Sequence, residues 1–527
     1  MLDVIIRRGK VVDGSGKIPP RLLDIGINDD LIIKIGDLEN EVAKKEIDAS
    51  GKLVTPGFID INSHSDTKWT LFRYPDQESL LYQGVTSVVG GNCGSSLAPI
   101  LGDGSIKSLR KWISLGDVQI DWDRMSEYLD YISDNRPLKL NYLTLIGHAT
   151  LRRGILGDEI RALDRQELKL MIDQIDRAME EGAFGVSLGL AYAHARSTSE
   201  EEIRLIAEKV AEKEGLLSVH LKGEGSSLLS SVREIIRATD KTGVNLEISH
   251  LKVLGKNYWS IFGRVIELIR KAKKKGLNIN FDIYPYDFSG PVLYTLLPQS
   301  IIETGREELI RKLKNPKIKK QLIKEMKKGY LDYSKIVVAS SPVSKLLVQR
   351  NLEEIAQKRK ISPEEAVLDL IVASEDQCKV LAHLMSEKNV VKGMKDTLSI
   401  ISSGGAGYGL AEENGGNLVH ARSFGSFGRF LGYYVRRKKI MTVAKAIHKI
   451  SGLPAEKLGL KDRGLIAEGY KADITILDWN KVGDEATMER PFAFAKGTEA
   501  VIINGEVSFE KGRNRKKIKS GSVLRKK

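Results

Sequence analysis

Cysteine is scarce: Cys93 and Cys378 are the only two in 527 residues. A disulfide framework is thereby excluded, and any thiol chemistry is that of a reducing compartment. Long apolar runs are also missing. No stretch approaches the roughly 18 consecutive apolar residues that a membrane span needs. The first residues, Met1-Leu-Asp-Val-Ile-Ile-Arg-Arg8, read as a short strand and not as a signal peptide. A cytoplasmic protein with no membrane partner is expected. Aromatics amount to 6% and do not interleave with the basic runs, unlike a surface that stacks single-stranded bases. Acids are the minority charge, 69 against 83 Lys and Arg, for a net +14. That excess is uneven, because residues 511–527 hold nine Lys and Arg and no acid. The sequence therefore predicts no specific nucleic-acid partner, only a basic tail with salt-sensitive affinity for polyanions.

What is present is an ordinary globular composition, 42% hydrophobic and 29% charged. The first fifty residues alternate β-rich runs such as Val4-Ile5-Ile6 and Asp24-Ile25-Gly26-Ile27 with turns at Asp13-Gly14 and Asn28-Asp29-Asp30. The far end repeats the pattern at Ala472–Leu477 and Val501–Val507. Between them runs a strand-then-helix rhythm with eight strand candidates: Phe58–Asn62, Thr86–Gly90, Leu143–Gly147, Gly185–Gly189, Leu217–Leu221, Leu246–Leu251, Asn278–Tyr284 and Leu398–Ser402. Near-continuous apolar strands alternating with helices indicate a parallel sheet, and eight of them indicate a (β/α)8 barrel. The expected fold is thus α/β: a TIM-like barrel, a small β-sandwich domain built from both chain ends, and a lid-like insertion. The expected boundaries are 1–52 with 455–510 for the sandwich and 53–454 for the barrel. The insertion is expected at about 285–396, and the basic tail at 511–527.

Barrel chemistry resides at the C-terminal ends of the strands. His64 follows strand one, Cys93 follows strand two, His220 ends strand five and His250 ends strand six. One such histidine is usually structural. Four ligand-type residues at one end of different strands form a constellation, and a cysteine with two histidines suits a catalytic zinc that keeps a fourth position for water. His148 ends strand three and is a weaker pocket candidate, whereas Cys378 reads as a small buried hydrophobe.

These residues sit in blocks that resemble the N-acyl-D-amino-acid deacylases (D-aminoacylases) of the amidohydrolase superfamily. The blocks include Pro56-Gly-Phe-Ile-Asp60, Gly91-Asn-Cys93-Gly94, Gly147-His148-Ala-Thr-Leu-Arg152, Ser249-His-Leu-Lys252, Asp282-Ile-Tyr-Pro-Tyr286 and His420-Ala-Arg422. The resemblance implies a zinc hydrolase that cleaves a small-molecule N-acyl-D-amino acid to a carboxylate and a D-amino acid. Cys93, His220 and His250 would hold the tight metal, and Lys252, Tyr284 and Arg422, with Tyr192 nearby, would meet the substrate carboxylate. The resemblance leaves room for an oligomer.

Two departures stand out. The family's first strand ends His-x-His, but here Asn62 precedes His64, so a second metal position beside His64 is expected to be weak or absent. After strand eight the family has Ser-Asp-Gly, whose aspartate is the general base. This chain reads Ser402-Ser403-Gly404-Gly405-Ala406, and Gly404 is assigned to the aspartate position. His64, Asp66 or Glu412-Glu413 are the substitutes considered. The alternative function is a catalytically silent homologue that binds metal and acyl-amino acids.

Overall fold

The computed structural model describes residues 1–109, 120–135, 138–302, 306–329 and 331–527. Its central feature is a run of parallel strands. Phe58–Asp60, Val85–Gly90 and Asn141–Thr144 form one arc. Ile146–Gly147, Gly185–Gly189, Leu216–His220, Asn245–Ile248, Ile279–Ile283 and Ser399–Ile401 form the second, in that order. Leu145 alone separates the arcs along the chain, so Asn141–Gly147 serves both and the strand positions number eight. At the other seam the ladder is replaced by bonds beyond the strand ends. Ser403 N donates to Asp60 Oδ1 at 2.8 Å, and His64 N donates to Gly405 O at 2.7 Å. The fold is the expected (β/α)8 type, and each expected strand is found, several shorter by a few residues.

Sequence signals account for the intervening helices. Asp164 caps Arg165–Glu180 by accepting from Glu167 N at 2.9 Å, while Glu167 Oε2 accepts from Asp164 N at 2.8 Å, a reciprocal capping box. Met171, Ile175 and Met179 point into the core on its buried face.

The two chain ends meet where Leu53–Pro56 pairs antiparallel with Ile474–Leu477. Leu2–Val11 pairs in turn with Arg21–Asn28, Ala43–Asp48 and Leu53–Pro56. The sandwich is therefore one branched nine-stranded sheet, and its strands share a core that includes Val4, Ile27, Val54, Ile474 and Ile502.

The insertion is largely helical, with Arg306–Leu313, Pro316–Met326, Leu352–Arg359 and Pro363–Ala373. It also carries the strand Ile336–Ser340, paired antiparallel with Lys379–Ala382.

The basic segment 511–527 differs from a solvated tail. Arg513–Asn514 extends the end sheet. Further on, Tyr142 N donates to Ser522 O at 2.9 Å, Leu524 N to Tyr142 O at 2.7 Å, and Lys526 N to Gly182 O at 3.0 Å. The segment is wedged beside the start of the third barrel strand, with Leu524 partly buried against the cluster that includes Leu143 and Phe184. Its charge hid this role, because the backbone and one leucine make the contacts while the cations face acids such as Asp130 and Asp76.

Candidate active site

Cys93 leaves the second strand in a tight loop whose geometry depends on its flanking residues. Gly91 has φ +70, and a Cβ there would lie 1.9 Å from Leu145 O, so only glycine fits. Asn92 Nδ2 donates to Val89 O at 2.9 Å and pins the loop to its own strand. Cys93 itself has φ +54 and is buried. His220 is the last residue of its strand, and His250 lies two residues beyond the next, at φ +36.

The ligand atoms of Cys93, His220 and His250 lie within 4.8 Å of one another, all buried. Cys93 Sγ is 3.3 Å from His250 Nε2 and 3.7 Å from His64 Nε2. One thiol and two imidazoles at this spacing fit a zinc-like cation by donor type. Burial, then Lys252 and His220, push the His250 pKa well below the usual value, which keeps a ring lone pair available.

Above these groups is a cavity of about 290 Å³, lined by His64, Cys93, Tyr192, His220, His250, Lys252, Tyr284 and Arg422. Apolar residues of the insertion, Leu296, Leu297, Ile302, Met326 and Leu331, form its outer wall. Arg422 opens the helix Arg422–Arg429 and sets its guanidinium 4.7 Å over the Tyr284 ring. Lys252 Nζ lies 2.9 Å from His250 Nδ1. Tyr192 stands edge-on to His220, with ring centres 5.2 Å apart.

The structure adds Glu224, which sequence reasoning missed. It lines the cavity, pairs with Lys252, and places Oε1 3.5 Å from both His220 Nε2 and His250 Nδ1. Its position four residues after a strand-end histidine, in His220-Leu-Lys-Gly-Glu224, was the available signal.

Other expected residues lie elsewhere. Asn62 Nδ2 donates to Asp282 Oδ2 at 3.1 Å, and Asp282 also accepts from Ser402 Oγ. The Asn62 amide is thus engaged with strand seven and does not line the cavity. His148 does not face the cavity. Its Nε2 lies 2.7 Å from Glu202 Oε1, and Arg152 Nη1 donates to both oxygens of Glu202, making a fully buried cluster. Asp66 accepts from Gly91 N at 2.6 Å, and its pKa is raised to about 6 by burial. Glu412 accepts from Tyr74 Oη at 2.9 Å. Of the substitute bases considered, His64 alone lines the metal cavity among the described residues. Gly404 has φ +52, and a Cβ there would approach Tyr284 and the Arg422 guanidinium at 3.4–3.6 Å.

A strand-end cysteine and two histidines in an eight-stranded parallel fold define a metal-dependent hydrolase of the amidohydrolase type. The chain matches the Amidohydrolase family over residues 45–319 and 414–509. It is 30% identical over 504 residues to the D-aminoacylase of Alcaligenes xylosoxydans xylosoxydans, covering 95% of this chain and 93% of that one. It is also 30% identical to the N-acyl-D-glutamate deacylase of the same organism, over 96% and 94% of the two chains. The N-acyl-D-glutamate deacylase of Bordetella bronchiseptica, solved with zinc and a phosphonate mimic of the tetrahedral intermediate, superposes with a TM-score of 0.83. It has 28% identity over 99% of both chains. This chain belongs to the amidohydrolase family, in the branch of the N-acyl-D-amino-acid deacylases. Its relatives hydrolyse amide C–N bonds, and no described helix is long and apolar enough to cross a membrane.

Proposed function

We propose that the chain hydrolyses N-acyl-D-amino acids with one zinc held by Cys93, His220 and His250. The observation that carries this reading is the convergence of those three side chains on a cavity that also presents Lys252, Tyr284 and Arg422. A bound zinc supplies Lewis acidity to the amide carbonyl and to water. The protein residues do the remainder. Arg422 and Lys252 bind and orient the α-carboxylate by charge-assisted hydrogen bonds, with Tyr284 and Tyr192 beside it. Water adds to the carbonyl carbon, the C–N bond breaks, and the proton released by the water passes to the departing amine. The barrel (53–454), with residues 285–396 as a lid, excludes solvent from that exchange, while the two ends (1–52 and 455–510) brace it.

The general base is the open position. Gly404 has φ +52, a left-handed conformation that favours glycine, and so suits the glycine that closes Ser-Asp-Gly. We therefore place Ser403, not Gly404, in register with the family's aspartate. Ser403 donates both N–H and Oγ–H to Asp60 and offers no carboxylate of its own. His64 and Glu224 are then the cavity groups that can hold the proton, and Asn62 leaves the second metal position weak. The missing aspartate also favours the second reading, a silent binder of metal and acyl-amino acid. Purified protein assayed against N-acetyl-D- and N-acetyl-L-amino acids, with its metal quantified, decides between them. Turnover of D-substrates with about one equivalent of zinc is expected. Tight zinc and ligand binding without turnover supports the silent homologue.

A further inference from the structure

A second cavity of about 590 Å³ adjoins the metal cavity, sharing Gly290, Val292 and Arg422 as its wall. Its composition is unusual. It is lined by five cations, Lys68, Arg73, Lys345, Lys379 and Arg422, against one carboxylate, Glu412. That carboxylate is already engaged by Tyr74 Oη at 2.9 Å, with Arg73 at 3.7 Å. The other titratable lining residues are Tyr408, whose pKa burial pushes up, and His420, whose pKa is pushed well below the usual value by burial and by Arg422. Neither adds an anion.

Three of the cations come from separate parts of the chain. Lys68 lies in the loop after the first barrel strand, Lys379 starts a strand of the insertion, and Arg422 opens a later helix. Lys68 is held down to about 7 by burial first, then by the repulsion of Arg422 and Lys379. Burial holds Lys379 down to about 8. Like charges gathered in a poorly solvated recess destabilise one another, and an anion placed among them reverses the sign of each pairwise energy.

Arg422 links the two spaces. If it meets the α-carboxylate, the substituent on the adjacent carbon has two exits: the apolar wall around Leu296, Leu297 and Met326, or the cationic recess.

We propose that the recess around Lys68 and Lys379 is a subsite for a second anionic group of the substrate. The favoured substrates are then N-acyl-D-amino acids whose side chain ends in a carboxylate. This inference rests on the preceding reading of Arg422 as the α-carboxylate partner.

The test compares N-acetyl-D-glutamate with its neutral isostere N-acetyl-D-glutamine, using zinc-loaded full-length protein. Both kcat/KM and calorimetric binding are measured. The acidic ligand is expected to be preferred by roughly tenfold or more, the scale of one charge-assisted hydrogen bond. Lys379→Met and Lys68→Met, made separately, are expected to lower that ratio, chiefly through KM, whereas Lys379→Arg is expected to preserve it. Equal handling of the two ligands overturns the subsite, and so does a ratio unchanged in both Met variants. Inorganic phosphate is titrated in parallel. If it binds while the glutamate preference is absent, the recess is a free-anion site and the substrate assignment falls. If neither compound is turned over yet glutamate binds preferentially and Lys379→Met removes that preference, the subsite stands and the hydrolytic reading fails.

Discussion

Glu224 Oε1 lies 3.5 Å from His220 Nε2. The same oxygen is 3.5 Å from His250 Nδ1 and pairs with Lys252 Nζ. One carboxylate thus joins two candidate metal ligands to a candidate substrate-binding lysine. Carboxylates behind ligating histidines fix ring orientation and raise ligand basicity. Glu224→Gln is expected to weaken zinc affinity by about 10–100-fold, measured by competition with a chromophoric chelator. Unchanged affinity would reduce Glu224 to a partner of Lys252.

Cys93→Ala is expected to lose the tightly held zinc while keeping the native circular dichroism. Its buried thiol contributes one of three donor atoms within 4.8 Å, and a thiolate is the strongest zinc donor of the set. Metal analysis after desalting is the readout. Full zinc retention would mean that another group ligates the ion.

Restoring a carboxylate after strand eight tests the missing base. Ser403→Asp is expected to raise kcat by about 10²–10⁴-fold if the proton transfer limits the rate. Gly404→Asp is expected to do less, because an aspartate there must adopt φ +52, a backbone conformation that L side chains rarely take. A larger gain at 404 than at 403 would refute the register proposed above.

The buried His148–Glu202–Arg152 cluster gives a pH signature. Burial depresses the His148 pKa below its ordinary 6.5. Glu202 is held below 4.5 because His148 and Arg152 outweigh its burial. Protons therefore bind the unfolded chain more readily than the native one. The stability from both groups is present above about pH 6.5, and it is lost as pH falls through that value and then through 4.5. Glu202→Gln leaves Arg152 buried without its charge partner and is expected to cost about 3–5 kcal/mol. Thermal melts between pH 7 and pH 4.5 should fall more steeply in the variant, because Glu202 is the group that holds the His148 pKa up against burial and Arg152. Parallel curves would show that the acid response arises elsewhere.

Removing residues 519–527 is expected to lower Tm by several degrees, since the backbone bonds to Tyr142 and Gly182 and the burial of Leu524 are lost together. Neutralising Lys516, Lys517 and Lys527 instead should leave Tm nearly unchanged. Equal effects would assign the role to charge.

The parts legible in the sequence were those with local signals. Apolar runs such as Val85–Gly90 announce barrel strands because both faces are buried, and ligand-type residues just past strand ends mark the catalytic rim. Contacts between distant segments left no such trace. Asn62 reads as a lost ligand, and only the fold shows its amide turned onto Asp282, 220 positions away. The strand Lys379–Ala382 begins with a lysine and is four residues long, too short for periodicity to announce. The recess between Lys68 and Lys379 exists because the insertion folds back over the first loop, and cations scattered along a basic chain do not disclose that they share one hollow. Residues 511–527 were misread for the converse reason: their charges suggested solvent, while the structural contacts come from main-chain groups.

The wedge formed by Ser522–Lys526 also sets an order of events during synthesis. The third barrel strand is made early, yet Tyr142 has both main-chain groups satisfied only when a segment 380 or so positions later arrives. A nascent polypeptide leaves those two Tyr142 groups to water throughout elongation, and this edge of the strand gains its partner only after residues 522–524 have cleared the ribosomal tunnel.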